Sequence, residues 1–205
     1  MSWETDKKLM QEEVPTNRWL VKDTNTTIIR AQSVDVSDPQ NLTLEEKNTI
    51  SRLIDFVRYS QDADLNNEAN DDYLRPAVGL AAPQIGINKN MFFVRFEHLQ
   101  DDQEVAEEFA MINAKIVSRS TQIAALEGGE GCLSVDEDQT GLVPRHYKIV
   151  VEGYDFLTQN KICLTLRGYL AIVFQHELDH NCGRLYYDHI DRNSPMVAKE
   201  DWFLI

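Results

Sequence analysis

Apolar positions along this 205-residue chain recur at two periods, and each period predicts a different kind of element. After Thr43, the residues Ile50, Leu53, Ile54 and Val57 fall at i, i+3, i+4 and i+7, the stripe of a core-facing helix. Thr43 with Glu46 supplies a capping-box pattern at its start. A period of two takes over at Tyr147–Phe156 and Lys161–Leu166. There Ile162, Leu164 and Leu166 alternate with Lys161, Cys163 and Thr165 beyond a Thr158-Gln159-Asn160 turn, which predicts a hairpin with Cys163 on its polar side. Strand-like runs are expected at Asn90–Glu97, Ala110–Val117 and Thr121–Leu126, with the acidic patch Asp101–Glu108 separating the first two. Leu170–Phe174 is apolar on every face and predicts a buried helix, closed by Gly183 in the left-handed conformation. Trp202–Ile205 is too apolar for a solvated tail and predicts a terminal strand or anchor. Strands gathered ahead of a buried helix, without regular β-α alternation, argue for an α+β fold: antiparallel strands around a central helix, with another helix nearer the N terminus.

The remaining stretches are irregular. Residues 1–25 lack a clear period and read as an N-terminal extension with a short helix around Lys7–Glu13. Residues 62–75 read as an insertion loop. Within it Asp62, Asp64 and Asn66 have calcium-loop offsets, but Asn67 replaces the required glycine and Tyr73 the bidentate glutamate, so a solvated loop is expected. Arg75–Gly86 and Gly128–Ser134 are dense in small residues, which suggests close backbone approach. Residues 191–205 form the tail. The whole chain is read as one domain.

Composition narrows the classes. Thirty-four acidic against 20 basic residues leave a net charge of −14, which disfavours non-specific binding to nucleic acid or to an anionic membrane. No apolar run approaches the ~18 residues of a membrane span, and the polar start does not read as a signal peptide. Three cysteines without a Cys-x-x-Cys do not make a disulfide framework, so a reducing cytoplasm is expected.

Chemistry concentrates in His176-Glu177-Leu178-Asp179-His180. Two histidines four apart on a helix share a face and suit adjacent positions on one divalent ion. Glu177 points beside them, able to reach a coordinated water without ligating. The third ligand must come from elsewhere. Tyr186 occupies the position where a metzincin has histidine, and only 25 residues follow His180, too few for a downstream helix carrying a ligand. The motif therefore looks backwards, to Cys132 in its glycine-dense turn. Asp179 reads either as a partner orienting a ligand histidine or as a surface carboxylate, and Cys182 as a packed helix-end residue.

Three stretches in this order, Gly79-Leu-Ala-Ala-Pro-Gln84, Glu130-Gly-Cys-Leu-Ser134 and Gln175-His-Glu-Leu-Asp-His180, closely resemble the peptide deformylase family. The resemblance runs from about Ile28 to Ile190. The acidic insertion and Arg75-Pro76 are similar to the family's longer class. It implies removal of the formyl group from N-terminal formylmethionine of new proteins. Cys132, His176 and His180 would hold the metal, with Glu177 as general acid/base and Gln84 with the Leu133 N–H as oxyanion donors. Val78 and Gly79 would pair with the substrate backbone, and Ile172 and Val173, one turn before His176, would line the methionine pocket. The resemblance favours Fe²⁺, with Zn²⁺, Ni²⁺ or Co²⁺ as alternatives, and implies nascent formylmethionyl chains as partners with transient proximity to the ribosome. The tail is not a basic helix, so ribosome docking through it is not expected. The sequence departs from the family pattern at Ala77, which stands where glycine is usual, at Asn113-Ala114 and at Asn181-Cys182. A metallopeptidase and a catalytically silent metal protein are the competing readings.

Overall fold

The computed structural model describes residues 9–69, 71–100 and 103–205. Among the described residues three α-helices, α1 (Thr26–Ile29), α2 (Leu44–Gln61) and α3 (Gly168–Asn181), accompany eight strands. These are β1 (Gly79–Ala81), β2 (Met91–Gln100), β3 (Gln103–Arg119), β4 (Ile123–Ala125), β5 (Arg145–His146), β6 (Lys148–Asp155), β7 (Asn160–Arg167) and β8 (Phe203–Leu204). Five strands form an antiparallel sheet in the order β1-β2-β3-β6-β7, and β5-β4-β8 form a second, smaller sheet. The architecture is mixed α+β.

Strand residues alternate between two apolar layers because successive side chains leave a sheet on opposite faces. Leu80, Met91, Phe93, Ala110 and Ile112 pack on one face with Ile50, Leu53, Ile54 and Val57 of α2. Ala81, Phe92, Val94 and Met111 pack on the other with Ala171 and Phe174 of α3. Phe92 meets Phe174 edge-on at 5.3 Å. Both faces are covered, which is why these strands read as continuous apolar runs. The α2 start is capped as its sequence predicts, with the Thr43 hydroxyl accepting from the Glu46 N–H at 3.2 Å and the Glu46 carboxylate accepting from the Thr43 N–H at 2.9 Å. The β6–β7 hairpin forms, with Asp155 paired to Asn160, and Cys163 is exposed on its polar side.

Three expectations need correction. The acidic patch is not a spacer: β2 and β3 stay paired through Gln100↔Gln103, although Asp101 and Asp102 lie outside the described residues. The reason is charge pairing across elements, since Glu108 binds Arg58 of α2 and lies 3.3 Å from Arg95 of β2. Residues 9–13 are not helical, and the rest of the short helix expected there lies outside the described residues. Cys182 is exposed at the α3 C-cap rather than packed. Ala77 does not take a positive φ, so glycine's freedom is not needed there. Asn113 takes φ 53° at a β3 bulge, its side chain bonded to both backbone groups of Val36. In the 62–75 loop, Asn66 is buried and bonds Ser60 O, Leu74 O and Leu74 N–H, which organises the segment. Phe203 of β8 stacks on Tyr147 at 5.4 Å yet stays about half exposed.

Candidate metal centre

Helix α3 follows β7 directly, and the chain leaves it at Gly183, φ +67°. A Cβ there would lie 2.3 Å from the Arg30 carbonyl oxygen, so only glycine fits. Gln175 ties the helix to β5 through paired bonds with the His146 backbone, 2.9 Å each. This anchoring presents His176 and His180 side by side, ring centroids 5.0 Å apart. Cys132, buried over Ile29, Val135 and Tyr186, brings its Sγ to 3.3 Å from His180 Nε2. One donor atom each from Cys132, His176 and His180 lies within 4.8 Å of the others. A thiolate and two imidazoles at this spacing suit a tetrahedral divalent ion with one position left for water or substrate.

An ionic frame that was not assigned from the sequence lies beneath these three side chains. Glu130 Oε2 accepts from His176 Nδ1 at 2.8 Å, which leaves Nε2 as the ring's donor to a metal. Arg145, 4% exposed, grips the same carboxylate through Nε at 2.8 Å and Nη2 at 2.9 Å, and its Nη1 binds Asp179. Asp179 also accepts from His189 Nε2 at 2.7 Å and lies 3.2 Å from Arg184. It is therefore neither a surface carboxylate nor a direct partner of a ligand histidine. Burial pushes the Glu130 carboxyl up, but the Arg145 and His176 hydrogen bonds outweigh it and bring the group down to about 2. Burial likewise opposes the charge on Asp179, and His189 with Arg145 hold it below the usual carboxylate range. Two signals for this frame were present in the sequence. Glu130 stands two residues before Cys132, and Arg145 is a lone cation after the apolar Leu142-Val143-Pro144 run.

Glu177 is treated oppositely. It is 3% exposed, and its Oε2 has no hydrogen-bond partner among the described residues. Burial, with the Glu130 charge adding to it, pushes the carboxyl up to about 7 against the opposing pull of His176. Glu177 packs directly on Gly79, where a Cβ would stand 2.5 Å from Oε1. Gln84 is buried, its Oε1 accepting from the Ala81 N–H at 2.9 Å and its Nε2 lying 3.5 Å from Cys132 Sγ.

A cleft of about 290 Å³ opens on this cluster. Val78, Gly79, Gln84, Cys132, Leu133, Ile172, Val173, His176 and Glu177 line it, so every residue given a metal, catalytic or substrate role from the sequence except His180 reaches its wall. His180 lies just beneath, 1% exposed. Because β1 is the first strand of its sheet, its outer edge has no strand partner among the described residues.

The polypeptide deformylase family model matches residues 18–196, most of the chain. The chain belongs to the polypeptide deformylase family. A peptide deformylase of Ligilactobacillus salivarius is 41% identical over 186 residues, 91% of this chain and 96% of that protein. Peptide deformylase 2 of Bacillus subtilis is 46% identical over 156 residues, 76% of this chain and 81% of its own. The crystal structure of the peptide deformylase from Thermus thermophilus superposes with a TM-score of 0.63 at 26% identity, covering 86% of this chain and 87% of that one. Deformylases are metal-dependent hydrolases, and the Cys132, His176 and His180 donor set fits that requirement. No helix among the described residues is long and apolar enough to cross a membrane.

Proposed function

We propose that the chain works as one metallohydrolase domain that removes the formyl group from N-terminal formylmethionine of newly made polypeptides, releasing formate. The observation that carries this reading is a Cys132/His176/His180 cluster, with Cys132 and His180 buried and His176 partly exposed, opening on a cleft with the outer edge of β1 along one wall. On this reading the helix bearing His176-Glu177-Leu178-Asp179-His180 is the centre of the domain, and residues 1–25, 62–75 and 191–205 are additions around it.

Cys132, His176 and His180 hold one divalent ion, which when bound lowers the pKa of a coordinated water towards ~7. Val78 and Gly79 pair with the substrate backbone as an added strand, which aligns the formyl carbon. Ile172 and Val173 receive the methionine side chain. Glu177 takes a proton from the attacking water and returns it to the amine nitrogen as the C–N bond breaks. The hydroxyl stays on the formyl carbon, so the products are formate and a free N terminus. Burial raises this carboxyl above the ordinary carboxylate range, which favours both taking and returning the proton. Gln84 Nε2 and the Leu133 N–H donate to the oxygen as negative charge develops, each worth on the order of 10²–10³ in rate.

We assign Fe²⁺ as the ion in the cell, because the deformylase family favours it. Thiolate-imidazole chemistry also accepts Zn²⁺, Ni²⁺ or Co²⁺. The partners are formylmethionyl nascent chains in the cytoplasm, met near the ribosome, and the net charge of −14 argues against direct nucleic-acid binding. The test is formate release from a formyl-Met peptide under anaerobic conditions with Fe²⁺ supplied. Release that decays in air and returns with fresh Fe²⁺ is expected. Cleavage of internal peptide bonds without formate would replace this reading with a peptidase, and activity indifferent to air would replace iron with zinc.

A further inference from the structure

The two oxyanion donors proposed above come from separate loops, and a third segment bonds to both. The Val21 N–H donates to the Gln84 carbonyl at 2.7 Å. Lys22 Nζ donates to the Leu133 carbonyl at 2.8 Å, and the Asp23 N–H donates to the Ser134 carbonyl at 2.7 Å. Three consecutive residues thus span from the Gln84 turn to the Leu133-Ser134 turn.

The span is held at both ends. Upstream, Trp19 is buried against Phe56 of α2, with the Arg52 guanidinium 4.2 Å over its ring. Downstream, the Ser33 N–H donates to the Asn181 carbonyl at the end of α3 at 2.8 Å, and the Arg30 carbonyl sits against Gly183. In the middle, Asp136 lies 3.3 Å from Lys22 Nζ, and Tyr187 OH donates to Asp23 Oδ2 at 3.3 Å. A segment anchored in this way restrains the distance between the loops it bridges. Oxyanion stabilisation depends on that distance, because donors must already sit where the charge will develop.

We infer that Val21–Asp23 form a strap that sets the spacing of Gln84 and the Leu133 amide, with Lys22 as its positioning residue. The inference rests on the deformylase reading of Gln84 and Leu133. Two of the strap's bonds are made by backbone N–H groups that any residue but proline supplies, whereas the Lys22 bond needs this side chain. Residues 1–25 therefore contain part of the site's frame, in a stretch whose sequence lacks a clear period.

Lys22→Met keeps the length of the side chain and removes its donor. Lys22→Arg restores a cation that can reach the same carbonyl. The expected result for Lys22→Met is a kcat about 5- to 30-fold lower, with KM for a formyl-Met peptide and bound metal per chain unchanged, and substantial recovery in Lys22→Arg; misplacement of about 1 Å can cost ~10²-fold in rate, and a partial loosening costs less. Amide hydrogen exchange on the same proteins is expected to speed up at Val21 and Asp23 while the α3 amides keep their protection. Wild-type kcat in Lys22→Met, or a loss explained by lost metal, would overturn the strap. Unaltered exchange at Val21 and Asp23 would overturn it whether or not formate is released. Faster exchange in a protein whose wild type releases no formate would keep the strap and remove the deformylase reading instead.

Discussion

Two glutamates turn buried side chains towards His176, Glu130 across space and Glu177 next in the chain, and their surroundings give them opposite properties. Glu130 lies in an ionic frame, with Arg145 bidentate on its carboxylate and His176 donating to it, and stays ionised down to about 2. Glu177 lies against the backbone of Gly79, with one carboxylate oxygen unpartnered among the described residues, and rises to about 7. Divergent environments for neighbouring acids commonly mark a division of labour. A carboxylate that never gives up its charge can orient a ligand, whereas one poised near neutrality can carry a proton.

Each glutamate can be perturbed without touching the other. The largest effect is expected from Gly79→Ala, whose methyl would have to displace the Glu177 carboxylate. Loss of a well-placed general base costs about 10²–10⁴. Gly79→Ala should therefore lower kcat by at least about 10², with metal content unchanged on elemental analysis. A methyl tolerated with wild-type kcat would mean that Glu177 need not stand where it does.

Arg145→Met acts on the other glutamate. It removes the cation shared by Glu130 and Asp179, leaving Glu130 with His176 alone and Asp179 with His189 and Arg184, and loosens the grip on the His176 ring. Loss of such a supporting partner typically weakens metal binding about 10- to 100-fold. Chelator competition with Co²⁺ should report this, while the fully loaded variant keeps most of its kcat. Unweakened affinity would reduce the frame to a folding role.

The smallest effect is on pH. The proton acceptor must be ionised, and a carboxyl raised towards 7 loses its charge as pH falls through that value, so kcat/KM should fall on the acid side. A bound divalent cation opposes the burial that raised Glu177, which places the midpoint between the ordinary 4.5 and about 7. With a midpoint at the top of that range, the rate at pH 5.5 would be about 30-fold below its plateau, and less for a lower midpoint. Metal content measured on the same samples separates this limb from metal loss. A flat profile across the interval would take the proton-carrying role from Glu177.

What the sequence disclosed and withheld follows the same divide between local and distant causes. The α2 stripe with its Thr43–Glu46 cap and the β6–β7 alternation are set by neighbours within a few residues, and both read directly. His176 and His180 were legible for that reason too, since helical spacing alone puts them on one face. The β2–β3 arm was not, because an acidic run looks solvated until Arg58 and Arg95 are seen to face Glu108. Arg145 left only a local hint, its place after the apolar Leu142-Val143-Pro144 run, because its partners Glu130 and Asp179 come from a distant loop and helix. The Val21–Asp23 strap is made largely of backbone bonds, which leave no mark on residue type.

The most direct test of the proton-carrying role is Glu177→Gln, loaded with the same metal as the wild type and assayed for formate release from a formyl-Met peptide. The substitution preserves size and removes the proton acceptor, while Cys132, His176, His180 and the Glu130–Arg145 frame are untouched. Full metal occupancy with a rate reduced by about 10²–10⁴ is predicted. Formate release at the wild-type rate from the loaded variant would contradict the division of labour between the two glutamates.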